Sequence, residues 1–113
     1  MDVTILHNPR CSKSRASLEL VPDAHVVKYL DEPLDREAVL QLLAALEDSP
    51  SDLVRRDPLF HELGLTNADV ESAEQVADLL SAHPQLMERP VIIRGNAAII
   101  GRPTERIAAF LAD

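Results

Sequence analysis

The sequence predicts a single α/β domain over residues 1–113, ordered β-α-β, then a helical segment, then β-β-α. Three observations carry that prediction. Two short apolar runs, at 3–6 and 25–30, bracket one helix-forming stretch, which makes a βαβ unit with parallel strands and a right-handed crossover. Helical spacing of apolar residues then takes over, first in Val39, Leu42, Leu43 and Leu46 and later in Val76, Leu79 and Leu80. Near the end, apolar runs at 90–94 and 97–100 flank Gly95-Asn96, the pattern of a hairpin.

Each element has a local reason. Val3 to Leu6 is a short apolar run of the kind a buried strand uses, and Asn8-Pro9 turns the chain after it. Residues 12–21 read as a helix with Ala16, Leu18 and Val21 inward, ended by Pro22-Asp23. Residues 25–30 are rich in β-branched and aromatic side chains and read as the second strand. Asp35 is placed to cap a helix over 36–48. Pro50 and Pro58 break the next stretch into short helices or turns, and Ser72 with Gln75 forms a capping-box pattern before the next helix. Pro103 stands where the first turn of the last helix, 104–112, would begin.

Composition limits what such a domain does. Hydrophobic residues make up 46% of the chain, too many for a disordered segment, and with no Trp, one Tyr and two Phe the core is aliphatic. The net charge of −8 argues against nucleic acid or an anionic membrane as a partner. The first ten residues have neither the basic leader nor the apolar run of a signal peptide. One cysteine cannot close an internal disulfide. The expected location is the cytoplasm.

That one cysteine, Cys11, stands among Arg10, Lys13 and Arg15. A free cysteine is usually a small buried hydrophobe. Here it follows a strand and a proline turn and precedes a helix. It therefore lies at a helix N-terminus, where free N–H groups and the helix dipole favour an anion. Lys13 and Arg15 add charge, so the thiol is expected to ionise easily and act as a nucleophile. His7 is close enough in sequence to support the thiolate or simply to hold the turn. The same surroundings suit an oxyanion, and Arg55, Arg89 and Arg102 stand at loop or element ends.

Other cysteine chemistries fit less well. A cysteine phosphatase loop needs an arginine six residues after the cysteine, where this chain has Ser17. His7, His25, His61 and His83 lack zinc-site spacing, so no metal is expected. A dithiol oxidoreductase would carry a second cysteine at position 14, which is Ser14. An oxidised Cys11 must therefore be resolved by an outside thiol, with the Ser14 hydroxyl available to hydrogen-bond the thiolate.

Residues 4–20, 26–43, 52–65, 86–93 and 99–107 together resemble the glutaredoxin-coupled arsenate reductases. The resemblance implies a thioredoxin-like fold with a helical insertion. It implies reduction of arsenate to arsenite as part of arsenic detoxification. Cys11 is then the nucleophile, and Arg55, Arg89 and Arg102 surround the oxyanion, with Arg56 an alternative to Arg55. His7, Ser14 and Arg15 support the site. No cofactor is bound; glutathione is a co-substrate and glutaredoxin a partner. The Arg89-Pro90 bond matches the cis-proline turn of such folds. Ser12-Lys13 replaces the Gly-Thr of well-known members and marks a subgroup with Cys-Ser-Lys-Ser-Arg. Two other readings are a glutathione-dependent reductase of another substrate and a non-catalytic binding or redox-sensing module, like the polymerase-binding regulators of the same fold.

Overall fold

Val3–His7 forms β1, and every side chain in it except Thr4 is buried. In the computed structural model, which describes residues 2–112, β1 pairs in parallel with β2 (His25–Lys28) and antiparallel with β3 (Val91–Arg94). β3 in turn pairs antiparallel with β4 (Ala97–Ile100). The sheet order is β2-β1-β3-β4, with α1 (Ser12–Leu20) linking β1 to β2 and α5 (Glu105–Leu111) following β4. This is the expected thioredoxin-like order. These elements make up the first of two compact units, Met1–Glu32 with Arg89–Asp113.

The core of that unit is aliphatic. Val3, Ile5, Ile92, Ile99 and Ile107 are buried together, with Leu18, Val21, Ala24, Phe110 and Leu111 packed against them. β2 is an edge strand and is largely exposed. It ends at Lys28 rather than at residue 30, because the Lys28 carbonyl accepts from the Asp31 and Glu32 N–H groups and the chain turns there. Gly95 has a φ of 60° and Asn96 has no positive φ, so the hairpin turns in the II′ manner.

Helix α1 differs from its expected face. Leu18 and Val21 do pack on the core, but Ala16 is only half-buried and the fully buried positions are Ser14 and Ser17. At the other end, α5 begins at Glu105 with Thr104 as its N-cap, so Pro103 stands before the helix and not in its first turn. Both Arg89-Pro90 and Arg102-Pro103 are cis. Gly101, between β4 and Arg102, is buried, and a Cβ there would come within 3.1 Å of Ile107 and of Pro90. A side chain at this position would require Ile107 or Pro90 to move by a few tenths of an ångström.

The second unit, Pro33–Glu88, is helical. Asp35 caps α2 (Arg36–Ala45) by accepting from the Ala38 N–H at 2.8 Å, a contact worth about 1 kcal/mol. The helix ends before residue 48, where Leu46 turns extended. Pro50 opens a 3₁₀ turn, Pro50–Leu53, and Pro58 opens α3 (Pro58–Glu62), where Asp57 caps the Phe60 N–H. A further 3₁₀ turn, Asn67–Val70, leads to α4 (Ala73–Ala82). The Ser72–Gln75 capping box is closed in both directions. Val39, Leu42 and Leu43 of α2 and Val76, Ala77 and Leu80 of α4 are buried. Beyond α4 a 3₁₀ turn, Pro84–Leu86, leads to a short antiparallel bridge of Val54 with Met87. None of the described helices is long and apolar enough to cross a membrane.

Candidate active site

The loop that carries Cys11 is held from within. Asn8, buried between β1 and α1, accepts the Arg10 N–H on Oδ1 and the Cys11 N–H on its carbonyl, each at 3.0 Å. Its own N–H donates to Ser14 Oγ at 3.0 Å, and Ser14 Oγ also lies 2.7 Å from His7 Nδ1. Cys11 then takes the N-cap position of α1 in extended geometry, and its carbonyl accepts the Arg15 N–H. The Asn-Pro turn was visible in the sequence. The threefold use of Asn8 was not, because two of its three bonds come from its backbone.

Cys11 is half-buried and is a free thiol. Arg102 Nη2 donates to its sulfur at 3.1 Å, while Arg102 Nε donates to the Arg89 carbonyl at 2.6 Å. Burial pushes the thiol pKa up, but it is outweighed. The peptide N–H groups of Ser14 and Lys13, the Arg89 side chain and the charge of Arg102 all favour the thiolate, and the net shift is downward. Residues from the loop after β1, the start of β3 and the end of β4 thus converge on one sulfur. The arrangement can hold a sulfur anion with two arginines beside it, which is the environment of a nucleophile that attacks an anionic electrophile.

The residues expected to support the site bind mainly within the loop and α1. Arg15 is not a charge at the thiol; its Nη1 donates to the Pro9 carbonyl at 2.8 Å and ties the helix back to the loop. Lys13 contributes through its peptide N–H rather than its ammonium group. The Ser14 hydroxyl faces His7 and Asn8, and the contribution of Ser14 to the thiolate comes from its backbone. His7 is 4% exposed, and burial followed by the charge of Lys28 lowers its pKa. It is therefore a neutral ring near pH 7 and holds the turn. It brings no positive charge to Cys11.

Arg55 and Arg56 belong to the helical unit. Arg55 lies between two carboxylates, with Asp57 3.8 Å from Nη1 and Glu88 3.8 Å from Nε, and its peptide N–H donates to the Leu86 carbonyl. Arg56 donates to the Ser51 and Val54 carbonyls and packs over the Phe60 ring. Its Nη1 serves those two carbonyls, and its Nη2 donates to Asn67 Oδ1 at 3.4 Å. Among the described residues, no group of three or more His, Cys, Asp or Glu could hold a metal ion.

The sequence profile of the ArsC family matches residues 6–110. The chain belongs to the ArsC family. ArsC relatives at high similarity include an arsenate reductase of Neisseria meningitidis serogroup A, 40% identical over 97% of this chain and 98% of that one. An arsenate reductase of Haemophilus influenzae is 34% identical over 98% of this chain and all of its own length. Among solved structures, an arsenate reductase from Vibrio cholerae superposes with a TM-score of 0.86 at 32% identity, covering 98% of each chain. The ArsC assignment and the thioredoxin-like fold therefore rest on both sequence and structure.

The geometry around the ArsC cysteine predicts its pH behaviour. A downward-shifted thiol pKa means the thiolate persists above that pKa and is lost as pH falls through it. The rate of Cys11 alkylation by iodoacetamide should therefore rise with pH along a single titration. Its midpoint should lie clearly below the ~8.5 of a free thiol. A midpoint at or above that value would contradict the balance of forces described for Cys11.

Proposed function

We propose that this protein reduces arsenate to arsenite, with Cys11 as nucleophile, glutathione as co-substrate and glutaredoxin as partner. The observation that carries the reading is the Cys11 sulfur held against Arg102 Nη2 at 3.1 Å, in surroundings that favour its anion. The Cys11 thiolate attacks arsenic, an S–As bond forms, and one arsenate oxygen leaves as water after protonation. Arg89 and Arg102 neutralise the oxyanion and orient it for attack. The family resemblance offers Arg55 or Arg56 as a third arginine, and both already have partners within the helical unit.

Glutathione thiolate then attacks. The electron pair of the S–As bond passes to arsenic, arsenite departs, and Cys11 is left in a disulfide with glutathione. The chain holds no second cysteine to break that bond, so glutaredoxin must take the glutathionyl group and return the Cys11 thiol. The family relationship supports the arsenate reading: relatives covering nearly the whole chain are named arsenate reductases. The cytoplasm, where glutathione is abundant, is the compartment this scheme requires.

A coupled assay of arsenate-dependent NADPH oxidation tests it. With arsenate alone, the protein should stall after at most one event per molecule. Glutathione should let a glutathionylated Cys11 appear in the intact mass, and glutaredoxin with its reductase should give continuous turnover. Full-rate turnover on thioredoxin without glutathione would replace the resolving step. No adduct and no turnover with any thiol would instead favour the binding-module reading.

A further inference from the structure

The basic side chains nearest Cys11 in sequence are not the ones that lower its pKa, and two of them have no other task. Residues 3–18 carry Arg10, Lys13 and Arg15 and not one acidic residue, in a chain whose net charge is −8. The first turn of α1 likewise contains no acid. Arg15 is occupied on the Pro9 carbonyl. Elsewhere arginines are bound in the same way, Arg94 on the Leu111 carbonyl and Arg106 on the Ile100 carbonyl. The Arg10 and Lys13 side chains are exposed and meet no acceptor or carboxylate among the described residues. Their peptides are fixed in the loop and first helical turn that flank Cys11. The Arg10 peptide is fixed by Asn8, and the Lys13 peptide N–H is one of the groups that stabilise the thiolate.

Two unpaired cations on an exposed rim cost no desolvation and leave a local positive field in a protein that otherwise repels anions. A field of this kind selects reaction partners by charge during encounter. We infer that Arg10 and Lys13 form an anion-selective rim that chooses the small thiol or disulfide reacting at Cys11, favouring those that carry carboxylates. The inference rests on the reading of Cys11 as the reacting thiol and extends it. The inner arginines hold the oxyanion, and the outer pair recruits a carboxylate-bearing thiol such as glutathione.

Thiol–disulfide exchange isolates the effect without arsenate. The reduced full chain reacts with glutathione disulfide (anionic), hydroxyethyl disulfide (neutral) or cystamine (cationic). In each case the Cys11 thiolate attacks one sulfur, the S–S bond breaks, and a small thiolate leaves. The readout is the rate of the Arg10→Gln/Lys13→Gln double variant relative to wild type for each probe, so differences in leaving group cancel. At about 20 mM ionic strength, where the Debye length exceeds ~20 Å, the variant should react about three- to tenfold more slowly with glutathione disulfide, a modest part of the 10–10³ that steering can reach. The neutral probe should change less than about twofold, and cystamine should speed up, by the same charge argument. Near 1 M salt, where the Debye length is ~3 Å, the difference should vanish.

An unchanged rate with glutathione disulfide would overturn the rim. An equal slowing with all three probes would also overturn it, since that reports a changed thiol and not a changed field. Charge selectivity without arsenate turnover would leave the rim standing and count against the arsenate reading alone.

Discussion

Cys11→Ser should abolish arsenate-dependent turnover while leaving the fold intact. The two effects separate because the side chain and the backbone of residue 11 do different things. The backbone makes the turn: its N–H donates to the Asn8 carbonyl and its carbonyl accepts from Arg15, and neither bond depends on the side chain. The thiol makes no short capping hydrogen bond at the start of α1, although the peptide N–H groups of Lys13 and Ser14 face the sulfur. Serine is among the preferred N-cap residues, so the start of α1 stays capped in the variant. A hydroxyl in the same place stays protonated near neutral pH and does not supply the anion that Ser14, Lys13, Arg89 and Arg102 stabilise at Cys11. Turnover should fall by about 10³-fold or more, as it does when a nucleophile is removed from a cooperating set. The coupled assay reads the first effect and thermal unfolding the second. Residual turnover within about tenfold of wild type would place the chemistry on another group.

The elements that depend on neighbours in sequence were legible, and those that depend on distant partners were not. Asp35, the Ser72–Gln75 pair and the Gly95-Asn96 turn act over two to four residues, so their patterns predicted the helix starts and the hairpin. Ser14 and Ser17 were missed as core positions because a serine on a helix is ordinarily a surface residue. Here Ser14 is buried with His7 and Asn8 as polar company, and the Ser17 hydroxyl donates to the Ser14 carbonyl. Arg15 looked like a charge for the thiol because it is close in sequence, yet one turn of helix and a nearby carbonyl direct it elsewhere. Arg102 lies 91 positions from the cysteine it touches. No spacing rule reaches that far, and only the family resemblance brought it to the site. Arg55 and Arg56 are adjacent in sequence and indistinguishable there; in the structure Arg55 lies beside Asp57 and Glu88, and Arg56 donates to the carbonyls of Ser51 and Val54.

Arg102→Lys should cost about 10- to 100-fold in kcat/KM although the charge is kept. The guanidinium uses two edges at once. Nε is anchored at 2.6 Å on the Arg89 carbonyl, and that anchor aims Nη2 at the Cys11 sulfur, 3.1 Å away. Lysine has one ammonium group at the end of a flexible stem, so it can satisfy the carbonyl or the thiolate but has no rigid fork to serve both. A hydrogen bond to a charged group contributes about 1.5–3 kcal/mol, which sets the size of the loss. The pH profile shows where the loss arises. If Arg102 acts on the thiolate, the alkylation midpoint of Cys11 moves upward in the variant, because one of the groups that lower it has withdrawn. If Arg102 also holds the oxyanion, KM for arsenate rises, and kcat falls further where the contact tightens in the transition state. Arg102→Ala should show both effects more strongly, and added guanidinium should restore part of the rate in that variant but not in Arg102→Lys, whose stem fills the space. Wild-type kinetics and an unmoved thiol midpoint in Arg102→Lys would return Arg102 to a structural role as the strut that fixes the Arg89 carbonyl.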